Sequence, residues 1–140
     1  MLLLPRKGIL AIAAVLDIAI NSRGRPVAAK SLADRHQLPP RHLEPVLQAL
    51  VREGILRGVR GPRGGYELAR SEGEIAANDI LRAAGTVEDN DATPLSGSAL
   101  LADVVVPALA RAEETFSEAL ARITVADLAR SADNRPKAGD

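Results

Sequence analysis

Apolar residues recur at helical spacing in the first half of the chain, and this pattern predicts three helices. Residues 7–20 are apolar almost all round, which is typical of a helix buried between neighbours. Residues 28–36 form a shorter amphipathic segment, and a tight turn at residues 38–40 separates it from the next one. Between residues 41 and 52 the apolar positions return every three or four residues, and Gly54 is predicted to end that helix.

A two-stranded hairpin is predicted to follow these helices. Residues 55–59 are β-prone, residues 60–65 (RGPRGG) are rich in turn formers, and residues 66–68 alternate between apolar and polar positions. The predicted tip of the hairpin is basic. Beyond it, Asn78 is predicted to cap a short helix that ends at Gly85.

A second long helical pattern occupies the C-terminal part of the chain. Apolar residues from Leu101 to Ile123 hold one face for about six turns, and a stripe of this length needs a partner. Pro107 lies within it, so either the helix begins near Val106 with proline in its first turn, or a longer helix kinks at the proline. Thr124 is predicted to cap a last short helix, VADLAR.

The charges are divided unequally between the two halves, although the net charge is zero. Residues 1–70 contain 12 Lys and Arg against 5 Asp and Glu, and residues 71–140 contain 6 against 13. A basic half suits a polyanion, because cations placed near phosphates release condensed counterions. A merely solvated charged surface is about equally compatible with this asymmetry alone.

The residue types exclude several kinds of chemistry. The sequence has no Cys and only two His, His36 and His42, so we expect neither a disulfide nor a metal site, and we assign no catalytic residue and no cofactor. The apolar segment 8–20 is too short to cross a bilayer and is interrupted by Asp17, so we interpret it as a buried helix and expect no membrane partner. A cytoplasmic location is the simplest expectation.

Helix, tight turn, amphipathic helix and basic glycine-rich hairpin, in this order, predict a winged helix whose second helix enters the DNA major groove. The fold is thus predicted to be mainly α with a small β-hairpin wing. We call this second helix, at residues 41–52, the recognition helix. The candidates for reading base edges lie near its start or on its outer face and are Arg41, His42, Glu44 and Gln48. Arg52, Arg57 and Arg70 suit phosphates or simple solubility equally well.

The wing supplies the remaining candidate DNA contacts. Arg60 and Arg63 are cations slender enough for a narrow minor groove, and glycines, including Gly64 and Gly65, allow the backbone to turn tightly near phosphates. The alternative interpretation of this segment is an ordinary hairpin turn whose arginines are exposed to solvent and have no role in binding. For the whole chain, the alternatives are a winged-helix module that binds proteins and not DNA, and an enzyme, which is the weakest because nothing assembles into a catalytic site.

In its motifs the chain resembles the Rrf2-type (BadM-type) family of transcriptional regulators. The matching stretches are KGILAIAAVLDIA, LPPRHLEPVLQALVREGIL, VRGPRGGYELAR, EIAANDILRAAG and ITVADLA. The resemblance implies a homodimer, expected here to be a repressor, on a pseudo-palindromic operator of double-stranded DNA. It also implies base contact by Glu44 and minor-groove contact by Arg60. Pro45 departs from the family pattern and puts the base contacts of Arg41 and His42 in doubt.

The resemblance further implies a long C-terminal helix that crosses its twin in the dimer. Its predicted interface residues share the apolar stripe and are Leu101, Val105, Leu109, Ala112, Phe116 and Leu120. The expected organisation is a winged-helix domain in residues 1–85, a loop in residues 86–98, a dimerisation region in residues 99–130 and a disordered tail in residues 131–140.

The chain departs most from the family in the loop that carries the cluster ligands of iron–sulfur-sensing members. Cluster-binding members carry three cysteines in the loop before the dimerisation helix, and residues 86–98 contain none. The acidic residues Glu88, Asp89 and Asp91 lack the glycine and the distal glutamate of a calcium loop, so we interpret them as solvated. We therefore expect a regulator without an iron–sulfur cluster, whose signal, such as an unknown small-molecule effector, has no motif in the sequence.

Overall fold

The computed structural model describes residues 6–22, 24–85 and 99–134, and in these residues helices dominate. The helices and strands, in chain order, are α1 (Arg6–Asn21), α2 (Ala29–Arg35), α3 (Pro40–Arg52), β1 (Leu56–Val59), β2 (Gly65–Leu68), α4 (Ala77–Ala84), α5 (Val106–Ala121) and α6 (Val125–Asn134). A short 3-10 turn at Glu72–Glu74 precedes α4, and a π-helical turn at Leu101–Val105 precedes α5. The prediction of a mainly α fold with a β-hairpin wing is confirmed.

Helix α1 lies at the centre of the fold and contacts α3, α4, α6 and β2. Its side chains Ala11, Ala14, Val15 and Ile18 are completely buried, which agrees with the apolar character of the segment all round. Leucine, isoleucine, valine and alanine fill the rest of the core. Among the described residues, no helix is both long enough and apolar enough to cross a membrane.

Helices α2 and α3 are joined by a tight turn. The N–H of Leu38 donates to the carbonyl of Ala33 (2.9 Å), and Gln37 adopts a positive φ of 54° to close the turn. Pro39 then occupies the N-cap of α3, and Pro40 lies in its first turn. A backbone N–H in the first turn has no acceptor within the helix, so a proline, which lacks the N–H, fits there without loss. The predicted helix–turn–helix therefore forms with the proline pair as the start signal of its second helix.

The hairpin is attached to the segment before α2. Strands β1 and β2 pair antiparallel with Gly58 opposite Tyr66, and Val27 exchanges two backbone hydrogen bonds of 2.8 Å with Tyr66. Gly65 has a φ of +153°, and a Cβ on it would lie 2.4 Å from the carbonyl oxygen of Val27. Only glycine allows this approach of two backbones. The wing is thus held against the helix–turn–helix unit.

Two elements at the C-terminal side differ from the prediction. The N-cap of α4 is Ala76, whose N–H donates to the Asp79 carboxylate (3.3 Å), so the prediction that Asn78 caps this helix is wrong. Helix α6 continues to Asn134, four residues into the segment predicted to be a disordered tail. Residues 135–140 and the predicted loop 86–98 lie outside the described residues.

Thr124 caps the N-terminus of α6 as predicted. Its Oγ1 accepts from the N–H of Asp127 (3.1 Å), and the Asp127 carboxylate accepts from the N–H of Thr124 (3.1 Å), so the two residues form a reciprocal cap. The pair also lowers the pKa of the Asp127 carboxyl, first through the backbone hydrogen bond from Thr124. The predicted cap is confirmed.

Pro107 lies in the first turn of α5, directly after the π-helical turn. A proline has no N–H and its ring crowds the carbonyl four residues earlier, so a widened turn before it accommodates both effects. Residues 99 and 100 are helical as well, so the helical path extends from residue 99 to Ala121. The sequence left two alternatives open, and the structure combines them: α5 begins at Val106, yet it continues an earlier helical segment.

Among the described residues, Asp17 is the charged residue that lies buried in the core. Its side chain lies between α1 and α2 and is 7% exposed. Arg35 donates to both carboxylate oxygens, through Nε to Oδ2 (2.9 Å) and through Nη2 to Oδ1 (2.6 Å). Asn21 Nδ2 lies 3.0 Å from Oδ1, and His36 Nε2 lies 2.9 Å from Oδ2. The polar cluster therefore fixes α2 against α1.

The pKa of the Asp17 carboxyl is lowered from its ordinary value of 3.8. Burial acts in the opposite direction, but the hydrogen bonds from Arg35 and Asn21, the positive charge of Arg35 and the contact with His36 together outweigh it. A carboxyl whose pKa is lower in the folded state stabilises the fold above its unfolded pKa. That contribution is lost as the pH falls through the folded value.

Replacing Asp17 with Asn is expected to lower the free energy of unfolding by about 2 kcal/mol near pH 7, because the guanidinium of Arg35 loses its paired charge. Below pH 3.8 the difference between the wild type and the variant should begin to shrink, because the carboxyl is then protonated in the unfolded wild type, and it should be lost as the pH falls through the lower pKa of the folded state. Urea unfolding at pH 7, 5 and 3 measures both effects. Asp34→Asn, an exposed carboxylate on α2, is the control. Equal stabilities at pH 7 would contradict the prediction.

Candidate DNA interface

One face of α3 is exposed and carries four of the predicted DNA contacts. Arg41, Glu44, Gln48 and Arg52 follow one another at spacings of three and four residues and are exposed, whereas the opposite face is buried. The buried positions are Leu43, Val46, Leu47, Ala49 and Leu50. Burial of one face thus fixes the rotation of the helix and leaves these polar side chains projecting outwards.

Pro45 does not interrupt α3, which is continuous from Pro40 to Arg52. The proline lies one turn inside the helix, is exposed, and removes only the hydrogen bond that its nitrogen would have donated to the carbonyl of Arg41. His42 is exposed in the first turn, and its N–H donates to the carbonyl of Pro39 (3.0 Å). Arg41 and His42 therefore lie on regular helix, and their base contacts stay a prediction.

The tip of the wing presents two arginines. Arg60 and Arg63 are exposed, and neither forms an ion pair or a side-chain hydrogen bond with the part of the chain that the structure describes. The N–H of Gly64 donates to the carbonyl of Gly61 (2.9 Å), and Gly61 has a φ of +115°. A Cβ on Gly64 would meet the carbonyl oxygen of Val59 at 2.1 Å, so this turn requires glycine.

Tyr66 connects the wing to α3. Its backbone is bonded to Val27, and its hydroxyl lies 3.4 Å from Nε2 of Gln48 on α3. Gln48 therefore has a neighbour on the wing as well as an exposed side chain. From the sequence, Tyr66 was predicted only as the first residue of the second strand, since the pattern of the strand carries no information about which residue of α3 its hydroxyl reaches.

Two of the other predicted cations have partners within the chain. Arg57 on β1 is directly opposite Glu67 on β2, and its Nε and Nη2 both lie 2.9 Å from Oε1 of that glutamate. Arg70 donates to the carbonyls of Gly54 (3.1 Å) and Glu53 (3.2 Å), so it ties the end of the wing to the end of α3. Arg52, by contrast, is exposed at the end of α3. Phosphate contact by Arg52 and Arg57 stays a prediction.

The predicted dimerisation surface is apolar and largely uncovered at its N-terminal end. Leu109 is 59% and Val104 is 56% exposed, and Val105 and Ala112 are exposed as well. Phe116 and Leu120 are half-buried, and α5 also packs along α4. The side chain of Leu101 lies outside the described residues. Among the predicted interface residues whose side chains are described, the exposed ones thus lie in the π-helical turn and in the first half of α5.

Comparison with known proteins identifies the family of this fold. Residues 4–131 match the family model Rrf2, described as "Iron-dependent Transcriptional regulator". The chain belongs to the Rrf2 family. The resemblance in motifs is thereby confirmed, and the match covers the winged-helix unit, α5 and most of α6.

Individual Rrf2 relatives are similar to this chain in sequence and in structure. The chain is 36% identical over 94 residues to the HTH-type transcriptional regulator IscR of Cronobacter sakazakii, a match that covers 67% of this chain and 57% of that protein. The structure of IscR from T. potens superimposes with a TM-score of 0.73 at 29% identity and covers 96% of this chain and 92% of that one. CymR, the global cysteine regulator of B. subtilis, shares the fold with a TM-score of 0.70 at 24% identity over 91% of this chain and 96% of that one.

The residues of this Rrf2 chain do not fit a thiolate-ligated iron–sulfur cluster. The sequence contains no Cys, and thiolates are the usual ligands of such clusters. Within residues 6–22, 24–85 and 99–134, no group of three or more His, Asp and Glu side chains lies close enough together to hold a metal ion. The iron dependence in the description of the family model therefore has no counterpart among these side chains.

Proposed function

We propose that this chain is a sequence-specific, DNA-binding transcriptional regulator that acts as a homodimer. The observation that carries the proposal is the common exposure of the α3 face and the wing tip, two surfaces linked by Tyr66, whose backbone pairs with Val27 before α2 and whose hydroxyl lies 3.4 Å from Nε2 of Gln48 on α3. A helix of this diameter fits the major groove, and a wing beside it reaches the neighbouring minor groove. Membership of the Rrf2 family, a family of transcriptional regulators, supports the proposal.

In the proposed complex, Glu44 and Gln48 read base edges in the major groove, and Glu44 accepts from the exocyclic amino group of a cytosine. Arg60 enters the minor groove, where the negative potential is strongest when the groove is narrow. Arg52 and Arg63 neutralise phosphates, which adds affinity without adding sequence preference. No residue in this arrangement has a catalytic role.

The apolar surface on α5 supports the proposed homodimer. Exposed leucine and valine side chains at helical spacing are costly in water and pack well against an identical helix in a two-fold arrangement. Two copies related in this way present two α3 helices, and these bind half-sites about one DNA turn, or about 34 Å, apart. Occupation of such an operator is the simplest route to repression, since it requires no contact beyond DNA.

Selection of bound fragments from random-sequence duplex DNA by the purified protein tests this function. We expect enrichment of a pseudo-palindrome, and affinity that falls steeply between 50 and 200 mM salt, as is typical of binding through many phosphates. Glu44→Ala should relax the preference at one base pair of each half-site, a loss of about 1–3 kcal/mol of discrimination. Binding to unrelated DNA should not weaken, because the variant removes a negative charge.

Glu53→Ala provides the matched control for this prediction. Glu53 is an exposed glutamate directly after the last residue of α3. Its backbone N–H donates to Ala49 and its backbone carbonyl accepts from Arg70, whereas its carboxylate forms no ion pair or hydrogen bond within the described residues. The control should keep the wild-type base preference at every position. A pool without enrichment contradicts the proposed function as a whole. An enriched pool with the same sequence for wild type and Glu44→Ala contradicts only the role of Glu44.

A further inference from the structure

A cleft of about 760 Å³ lies between the wing tip and the segment that leads into α2. One wall is formed by Gly24 to Ala28 together with residues of α1 and α2, and the other wall by the tip of the hairpin. The lining residues are Asn21, Gly24, Arg25, Pro26, Val27, Ala28, Ser31, Arg35, Pro62, Arg63 and Gly64. The residues that line the cleft include none from α3 and do not include Arg60.

The cleft is strongly cationic. Its lining includes three arginines and no carboxylate. Arg35 is paired with Asp17, so the Asp17 carboxylate already neutralises its charge. Arg25 and Arg63 stand on opposite walls, are exposed, and form no ion pair or side-chain hydrogen bond with another residue in the described ranges. Two uncompensated guanidinium groups across one cleft favour an anion between them.

The two walls are held at a fixed separation. Directly beside the cleft, Val27 and Tyr66 exchange two backbone hydrogen bonds of 2.8 Å, and Gly65 lies in contact with the backbone of Val27 and Ala28. Neither wall can therefore move far without breaking this bridge. A site whose walls are fixed before the ligand arrives loses little conformational entropy on binding.

The remaining lining matches a nucleic-acid backbone. Ser31 on α2 offers a hydroxyl group, which can donate to a phosphate oxygen, and Pro26 and Pro62 offer apolar rings against which a sugar can pack. The rim residues Gly24, Arg25, Pro62 and Arg63 are exposed, so an extended polymer can pass across the opening.

We propose that Arg25, Ser31 and Arg63 form a clamp for one phosphodiester group of the DNA backbone beside the wing. This inference rests on the proposed function and extends it to a phosphate site on the segment before α2. The clamp positions the wing along the duplex and carries no base preference itself, since a phosphate is the same at every base pair. A free inorganic phosphate or a small anionic metabolite shares the same chemistry, and the experiment separates these sources.

The test uses a labelled 30-base-pair duplex from the enriched pool and scans its backbone with single neutral methylphosphonates. With the wild-type protein, one position per half-site should lower affinity about tenfold, the loss expected for one charge-assisted hydrogen-bonded contact. Arg25→Ala should lower affinity for the unmodified duplex by a similar factor and reduce the slope of log affinity against log salt by about 0.9 for each clamp. Combining this variant with that methylphosphonate should cost no more than either change alone.

Controls separate the clamp from general effects of charge. Arg25→Lys keeps the cation and should restore the salt slope, and Arg122→Ala, an exposed arginine at the end of α5, should leave affinity and slope unchanged. Additive losses at every methylphosphonate position would overturn the clamp. So would titration calorimetry that shows inorganic phosphate bound through Arg25 while the losses on DNA stay additive, because the cleft would then be a small-anion site. If the selected pool contains no enriched duplex, the proposed function itself has failed.

Discussion

Leu109→Glu is expected to convert the protein to a monomer and to lower its affinity for a two-half-site duplex by about a hundredfold or more, since linked half-sites gain a factor of this order or larger. Leu109 lies near the middle of the exposed apolar surface of α5 and is itself 59% exposed. A carboxylate at this position would be buried against its own copy in the two-fold arrangement, without a partner. Sedimentation equilibrium measures the mass, and fluorescence anisotropy measures the affinity.

The matched control is Ala121→Glu, which adds the same charge to α5 at an exposed position away from the apolar stripe. It should remain dimeric and keep its DNA affinity. The folded monomer of Leu109→Glu should unfold like the wild-type winged helix, because Leu109 makes little contact with the core. A Leu109→Glu protein that sediments as a dimer would show that α5 is not the interface.

Gly65→Ala is expected to have the largest effect on the wing. The added methyl carbon would lie 2.4 Å from the carbonyl oxygen of Val27 and 2.8 Å from the nitrogen of Ala28, and the φ of +153° is unfavourable for alanine. The chain can relieve this overlap only by separating β2 from Val27, which breaks the two hydrogen bonds of Tyr66. We expect a loss of about 2–4 kcal/mol in the free energy of unfolding, measured by urea denaturation.

Gly58→Ala controls for the loss of a glycine in the same hairpin. Gly58 is opposite Tyr66 in the sheet, and a Cβ there would meet no atom within 4 Å, so its effect should stay small. The DNA affinity of Gly65→Ala should fall as well, because the wing arginines are displaced relative to α3. Equal stabilities of the two variants would disprove the close approach of β2 to Val27.

The elements that local patterns specify were predictable. The three- and four-residue spacing of apolar positions in α3 defines its buried face, and Gly54, with a φ of +76°, follows its C-terminus as expected of a C′ glycine. The Thr124 cap was readable because the hydroxyl and its partner Asp127 are close in sequence. In each of these cases the stabilising contact is made within a few residues.

Contacts between distant segments could not be predicted from these patterns. Asp17 was noted only as an interruption of an apolar helix, because its partner Arg35 lies 18 residues away and its geometry depends on the crossing of α1 and α2. The pairing of Arg57 with Glu67 depends on the register of the hairpin. Arg25 was not among the predicted DNA contacts, because it lies in the segment between the first two predicted helices. The basic run RGRP before α2 was the available signal.

The division of α3 into a buried face and an exposed face affects how such a regulator can diverge. Arg41, Glu44 and Arg52 are exposed and are not required by the core, whereas the buried side of α3 and the bridge to Val27 hold the scaffold. Mutations on the outer face can therefore accumulate at little cost to folding. If this face reads the operator as proposed, duplicated copies of the gene are expected to acquire new target sites through a few substitutions on one helix while the architecture is inherited unchanged.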